Sequence, residues 1–303
     1  MATTVDTHQF FRVRVTAITD LTPSFRRFTF AGDDLAHYGD PGLDQRIKVV
    51  FPTDTVGLDA MPMGEDWYTQ WRELPEAGRP PFRTYTTRYV RNEQCEVDID
   101  MVSHDVLGPA SDWIARAAIG DEVLIYAPTT AHEGVSYGID FVPPARVDSI
   151  LLAGDETAAP AIAAILEQLP PEARGVVALE VPHDDDIAYL PQHPGFEYRV
   201  GARDETAARN SYLVSSVTDA AAFLAPEGQG ADVEEIDIDT DILWEVPRTA
   251  KGGAALKSAR LYAWLAGEAG AIKALRRHLV SERGVDRRAV AFMGYWRLGR
   301  AEN

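Results

Sequence analysis

A two-part β + α/β chain is predicted: an N-terminal antiparallel Greek-key β-barrel followed by a Rossmann-like parallel α/β domain. Three features carry this reading. The first part holds short segments of period-two hydrophobicity separated by Gly, Pro and Asp turns. Pro143 and Pro144 then form a hinge. Beyond it, strand-like and helix-like stretches alternate. A length of 303 residues suits two ordinary domains, set at residues 1–142 and 147–303.

The barrel strands are read in "FFRVRVTAI", "SFRRFTFAG", "QRIKVVFP", "FRTYTTRYV", "CEVDIDMV" and "DEVLIYAP", a spacing that suits an antiparallel barrel. "EDWYTQWRELPEAGRPP" interrupts them, and its Pro and Gly content predicts a long loop. After the hinge, "SILLAG" is an apolar strand. "DETAAPAIAAILEQL" then places Ile162, Ile165, Leu166 and Leu169 at helical spacing before the strand "GVVALEV". The pattern returns as the strand "LYAWLAG", a helix with Ile272, Leu275 and Leu279 on one face, and the strand "AVAFMGYW". Between these units, "PEGQGADVEEIDIDTDILWEVP" is either a flexible acidic loop or an ordered cover, with Ile242, Leu243 and Trp244 as its apolar cluster.

Composition excludes several functions. Cys95 is the only cysteine, which removes internal disulfides and four-cysteine iron–sulfur or zinc sites. Redox chemistry would therefore need an organic cofactor. A formal net charge of -18 argues against a nucleic-acid backbone as partner. No run of about 20 apolar residues is present to span a bilayer, and the start lacks the basic-then-apolar order of a signal peptide. A cytoplasmic protein is expected. No His/Cys/carboxylate cluster stands out, so no protein-held metal is expected.

Two segments carry candidate chemistry in the first part. In "FRTYTTRYV", Arg83, Tyr85, Thr86 and Arg88 combine forked donors, a flat ring and hydroxyls suited to a flat, phosphate-bearing ligand, or else decorate a solvated strand. In "GPASDW", small residues from Gly108 to Ser111 open a helix where amides and dipole favour an anion, or else Ser111 is an ordinary N-cap. In the second part, "AGDETAAP" and "LAGEAGAIKAL" both sit at strand-to-helix turns, where open parallel sheets bind ligands.

"RTYTTR", "GPASDW", "LLAGDETAAPAIAAILEQLP", "DILWEVP", "AWLAGEAGAIKALRRHL" and "GYWRLG", in that order from about Phe11 to Gly299, resemble the siderophore-interacting proteins. These are cytoplasmic FAD-binding ferric-siderophore reductases of the ferredoxin-reductase superfamily. The resemblance implies that Arg83 meets the FAD phosphates, Tyr85 the isoalloxazine ring and Thr86 its reactive nitrogen, with Arg88 completing the motif. It places Gly108, Pro109, Ala110 and Ser111 around the pyrophosphate, with Trp113 nearby. His104 stands where the family has His-Gly, but Asp105 follows it. Asp155, Glu156, Thr157, Gly267 and Glu268 would line a nicotinamide crevice, the acids serving alternatively as helix N-terminal charges. Trp296 would stack near the flavin or close the core.

Lys48 and Arg297 are the candidates for a basic pocket that receives an anionic ferric siderophore. Glu180 and the run "HDDD" would repel a ribose 2′-phosphate, which favours NADH over NADPH. Two other readings stay open: a flavoprotein reductase fed by ferredoxin or serving another acceptor, and a siderophore-binding protein without redox turnover.

Overall fold

The computed structural model describes residues 7–103, 108–131, 138–204, 206–225, 236, 238, 243–247 and 256–299. The chain forms two compact units that divide between Ile139 and Asp140.

The first unit is a closed barrel of β1 (His8–Asp20), β2 (Phe25–Ala31), β3 (Arg46–Val50), β4 (Phe82–Arg91), β5 (Glu96–Val102) and β6 (Glu122–Pro128). Their order is β1-β2-β5-β4-β3-β6, a Greek-key arrangement, and every pairing is antiparallel. The pleat explains the alternation seen in the sequence: Phe11, Val13 and Val15 of β1 face inward while Arg12 and Arg14 are exposed. Phe28, Phe30, Ile47, Val49, Val97, Ile99, Val123 and Ile125 complete that interior.

The segment expected to be a loop contains a two-turn helix, α1 (Trp67–Glu73). Its Trp67 and Trp71, four residues apart on one face, pack with Leu58, Met61, Val50 and Leu124 into a second small core. The flanking Gly64, Pro75 and Gly78 bound the helix and do not disrupt it. Seven residues are too few for their periodicity to outweigh that punctuation.

The second unit is built from β7 (Arg146–Asp155), α3 (Ala159–Gln168), β8 (Gly175–Val181), β9 (Phe196–Ala202), α4 (Ser211–Leu224), β10 (Trp244–Glu245), β11 (Ser258–Glu268), α5 (Ala269–Arg276) and β12 (Val290–Trp296). The sheet order is β10-β12-β11-β7-β8-β9. All pairings are parallel except β10 with β12, so Trp244 and Glu245 supply an antiparallel edge. Leu243 beside them is buried; Ile242 and most of the acidic stretch lie outside the described residues. Leu213, Val217 and Ala221 of α4 and Ile272 and Leu275 of α5 share one core with Leu151, Ala153, Val176 and Ala178 of the sheet. Beyond Arg276 the helix widens into a π-helical turn, Arg277–Glu282.

From β7 the chain runs outward through β8 and β9, then returns to β11 on the other flank of β7. The order thus reverses between β7 and β11, the position at which open α/β sheets form a ligand crevice at the strands' carboxyl ends. Asp155 and Glu268 end those two strands.

Candidate functional sites

On the barrel, β4 divides the arginine–tyrosine motif between two faces. Arg83, Tyr85 and Thr87 alternate on one, and Thr84 and Thr86 lie on the other. Tyr85 is half-buried against the barrel core and meets Phe51 edge-on at 6.1 Å, and Phe51 in turn lies 5.2 Å from Trp113 of α2 (Pro109–Arg116). The Thr87 and Tyr38 hydroxyls share a buried hydrogen bond of 2.9 Å. Thr86 is buried and pairs with Arg46 of β3.

A register shift follows Thr87, and Arg88 is buried with its Nε donating to Asp100 at 3.2 Å. Asp100 also receives both Arg27 nitrogens, at 2.7 and 2.8 Å, and both guanidinium groups lie 4.8 Å from the Tyr89 ring. Arg88 therefore belongs to an ionic staple across β2, β4 and β5.

The N-terminus of α2 is open. Its N-cap is Gly108 and not Ser111, Pro109 occupies the first turn, and no side chain caps the helix. Asp112 N–H is the first to reach back, to Gly108 O at 2.9 Å. The amides of Ala110 and Ser111 precede that bond and have no partner within the helix. A methyl group at Gly108 would stand 4.0 Å from Nη2 of Arg83. The fold thus sets a guanidinium beside a helix N-terminus that no described side chain caps. A cleft of about 410 Å³ adjoins that helix N-terminus, lined by Pro52 to Thr55, Gly108, Pro109, Asp112 and Arg116. His104 lies outside the described residues.

In the α/β unit the two strand-to-helix turns come together on one carboxylate. Asp155 Oδ1 accepts from the Thr157 amide at 3.0 Å and its hydroxyl at 2.5 Å. Oδ2 accepts from the Glu268 amide and from the Trp296 indole, both at 2.8 Å. Burial, and then the neighbouring Glu156 charge, push this carboxyl up to about 6, against the pull of its Thr157 and Trp296 donors. Gly267 lies at φ +148°, and a Cβ there would fall 2.6 Å from Asp155 Oδ2. The close approach leaves room only for glycine. Glu268 caps α5, accepting from Ala271 N at 2.9 Å, and its other oxygen takes Leu298 N at 3.3 Å.

Glu156 is buried between Arg203 and Arg209, at 2.7 Å from each. Glu180, expected beside a ribose, instead points into the protein. It accepts from the backbone amides of Asn210, Tyr212 and Leu213 at the start of α4, and pairs with Arg203 at 3.2 Å. Asp186 of "HDDD" is also buried, on the His183 amide, while Asp184 and Asp185 are exposed. Arg209 lies over the Trp296 ring at 4.7 Å. Arg203 and Arg209 were not singled out from sequence. Acidic residues at two successive strand ends, Glu156 and Glu180, are the signal that cations had to stand near. Lys48 lies 5.0 Å from the Phe82 ring, and Arg297 donates to Ile238 O at 3.0 Å.

Residues 14–132 match the siderophore-interacting FAD-binding domain, and residues 147–299 match the siderophore-interacting protein domain. The chain belongs to the siderophore-interacting protein family. It is 34% identical over 266 residues to an uncharacterized protein of Mycobacterium tuberculosis, covering 86% of this chain and 80% of that one. It is 36% identical over 162 residues to the ferric vibriobactin reductase of Vibrio cholerae, covering 53% of this chain and 54% of the reductase. Among solved structures, the siderophore-interacting protein SipS of Aeromonas hydrophila aligns with a TM-score of 0.67 at 27% identity, over 98% of this chain and 94% of that one. The ferredoxin reductase of carbazole 1,9a-dioxygenase aligns at a TM-score of 0.57 and 13% identity, over 95% of this chain and 70% of that one, and shares the fold.

The barrel residues fit the dinucleotide that the family's first domain binds. A pyrophosphate needs donors and positive charge at close range. Arg83, the uncapped amides of α2 and the open space at Gly108 supply both together. No helix among the described residues is long and apolar enough to cross a membrane.

Proposed function

We propose that this member of the family is a ferric-siderophore reductase that uses FAD to carry electrons from NADH to iron. The observation that carries the proposal is the meeting of Arg83 with the N-terminus of α2, which no described side chain caps, on the strand face that also bears Tyr85. The similarity to a ferric vibriobactin reductase supports the choice of acceptor. A bound flavin accepts a two-electron hydride and gives up electrons singly, which joins a nicotinamide donor to ferric iron. For each NADH, two ferric chelates take one electron apiece, leaving NAD⁺ and one proton. Hard oxygen donors hold Fe(II) less firmly than Fe(III), so reduction releases the metal.

The chain's residues divide the task between the units. Arg83 binds phosphate through charge-assisted hydrogen bonds, Ala110 and Ser111 offer amides to the same group, and Tyr85 presents its ring to the flavin. In the α/β unit the nucleotide binds at the carboxyl ends of β7 and β11, beside Thr157, Glu268 and Trp296. Lys48 on the barrel and Arg297 on the α/β unit each offer a cation to an anionic chelate.

NADH is the preferred donor for a reason that keeps the exposed acids of "HDDD" but not the buried Glu180. Arg203 and Arg209 stand near the ends of β8 and β9, yet the buried Glu156 and Glu180 already neutralise them. The exposed Asp184 and Asp185 add negative charge. A ribose 2′-phosphate would find no surplus of positive charge there.

The test is anaerobic reduction of the flavin by NADH, NADPH or reduced ferredoxin, followed by a panel of ferric chelates. Fast bleaching by NADH and reoxidation by ferric siderophores are expected. Bleaching by ferredoxin alone would overturn the donor assignment. A reduced flavin inert towards every ferric chelate would overturn the acceptor.

A further inference from the structure

Asp155 stands where the sheet order reverses, and its carboxylate binds groups from the ends of β7, β11 and β12. It is fully buried, so a ligand cannot touch it. We infer that Asp155 is a positioning residue for the nucleotide, holding the Trp296 indole and the Glu268 amide at the crevice and acting on the ligand only through them. The inference rests on the proposed binding of a nicotinamide nucleotide to this unit.

The two Thr157 donors orient Oδ1 within the β7–α3 turn, which aims Oδ2 at residues 113 and 141 positions away in sequence. Gly267 lets the second turn approach this oxygen. Trp296 is thereby held by its ring nitrogen, while Arg209 covers its ring and is itself held by Glu156. The indole remains partly exposed. A partly exposed ring already fixed in one orientation can receive a flat heterocycle without first losing rotamer freedom, whereas a loose one must be ordered on binding.

A carboxylate shared by four donors in this way depends on its charge. Once protonated it carries a donor of its own and can no longer accept from all four. The charged groups on the surrounding elements are Glu156 on its own turn, the buried Glu180 in register with Asp155 on β8, Arg203 and Arg209 that pair with these two acids, and Glu268 before α5. The Glu268 carboxylate is occupied by the Ala271 and Leu298 amides. With Asp155 titrating at about 6, the arrangement is intact at neutral pH and loosens in mild acid.

The experiment measures the dissociation constant for NAD⁺ by calorimetry between pH 5 and 8 in the flavin-loaded parent, Asp155→Asn and Trp296→Phe. The fluorescence of Trp296, taken as parent minus Trp296→Phe, is followed over the same range without nucleotide. The parent should lose about tenfold in affinity from pH 7 to pH 5, with the indole signal changing around pH 6. Asp155→Asn should be about tenfold weaker at pH 7, show no such transition and keep its flavin. Trp296→Phe should also bind more weakly, and its residual transition should move upward because the indole donor favours the charged carboxylate.

Affinity within twofold of the parent in Asp155→Asn, or persistence of the transition there, overturns the proposal. If that variant does not fold, Trp296→Phe decides: unaltered affinity and an unmoved transition overturn it. A parent that binds no NAD⁺ overturns the donor reading, and this inference with it.

Discussion

In the barrel, the buried Asp100 carboxylate is held by the guanidinium groups of Arg27 and Arg88, whereas in the α/β unit the buried Asp155 is held by four neutral donors. The barrel's outer face repeats its pattern one step along, where Arg91 grips Asp98 bidentately at 2.7 and 2.8 Å. Desolvation opposes ionisation of Asp98, but the Arg91 and Thr29 partners outweigh it and hold the carboxyl below its ordinary range. Asp155 has hydrogen bonds without a counter-charge, and burial wins. A carboxylate matched by arginine acts as a staple that stays ionised near neutrality. One matched only by neutral groups stays open to titration.

The largest test of this contrast is Gly267→Ala against Gly108→Ala. At Gly267 both the positive φ and the nearby Asp155 oxygen oppose a methyl group. A loss on the order of 3 kcal/mol in urea unfolding is expected. At Gly108 the backbone is extended and no described atom lies nearer than 4.0 Å, so the loss should be about 1 kcal/mol or less. Equal losses would show that the α/β turn is no tighter than the barrel turn.

Arg83→Ala comes next and concerns binding. Loss of a charge-assisted phosphate contact should weaken FAD by about 1.5–3 kcal/mol, roughly ten- to hundredfold, while the unfolding free energy of the flavin-free protein stays within about 0.5 kcal/mol. Fluorescence titration with FAD measures the first quantity. Full affinity in the variant would remove Arg83 from the flavin site.

The smallest effect lies in the acid limb of stability. Because the folded value of Asp98 lies below its unfolded value, its contribution is present above the ordinary aspartate range. It disappears as pH falls through the folded value. Asp98→Asn should therefore cost about 1 kcal/mol or less at pH 7 and nothing at the acid end. Asp155 has the opposite sign: its raised value favours the folded chain as pH falls from about 6 towards the unfolded range. Thermal unfolding of Asp98→Asn and Asp155→Asn between pH 3 and 7 checks both directions, and slopes of the same sign would erase the contrast.

Much was readable along the chain. The six barrel strands, the strand–helix alternation and the two crevice turns follow from periodicity and turn residues, which act over a few neighbours. Arg83 and Tyr85 were chosen for their side-chain chemistry, and the strand then displays them, as residues i and i+2, on one face. The short helix at Trp67–Glu73 was obscured by its flanking Pro and Gly, and β10 by the acidic run before it.

Tertiary structure decided which residues meet and which charges are already taken. Arg83 reaches Gly108 because the barrel closes and α2 packs Trp113 into its core. Glu180 turns inward because the start of α4 presents three amides to it. Asp155 joins Glu268 and Trp296 because the chain reverses its order in the sheet and lays β11 beside β7. Local pattern specifies which faces are apolar. The partners of a buried carboxylate depend on which distant strand ends are brought within 3 Å, and that is set by the closing of the whole sheet.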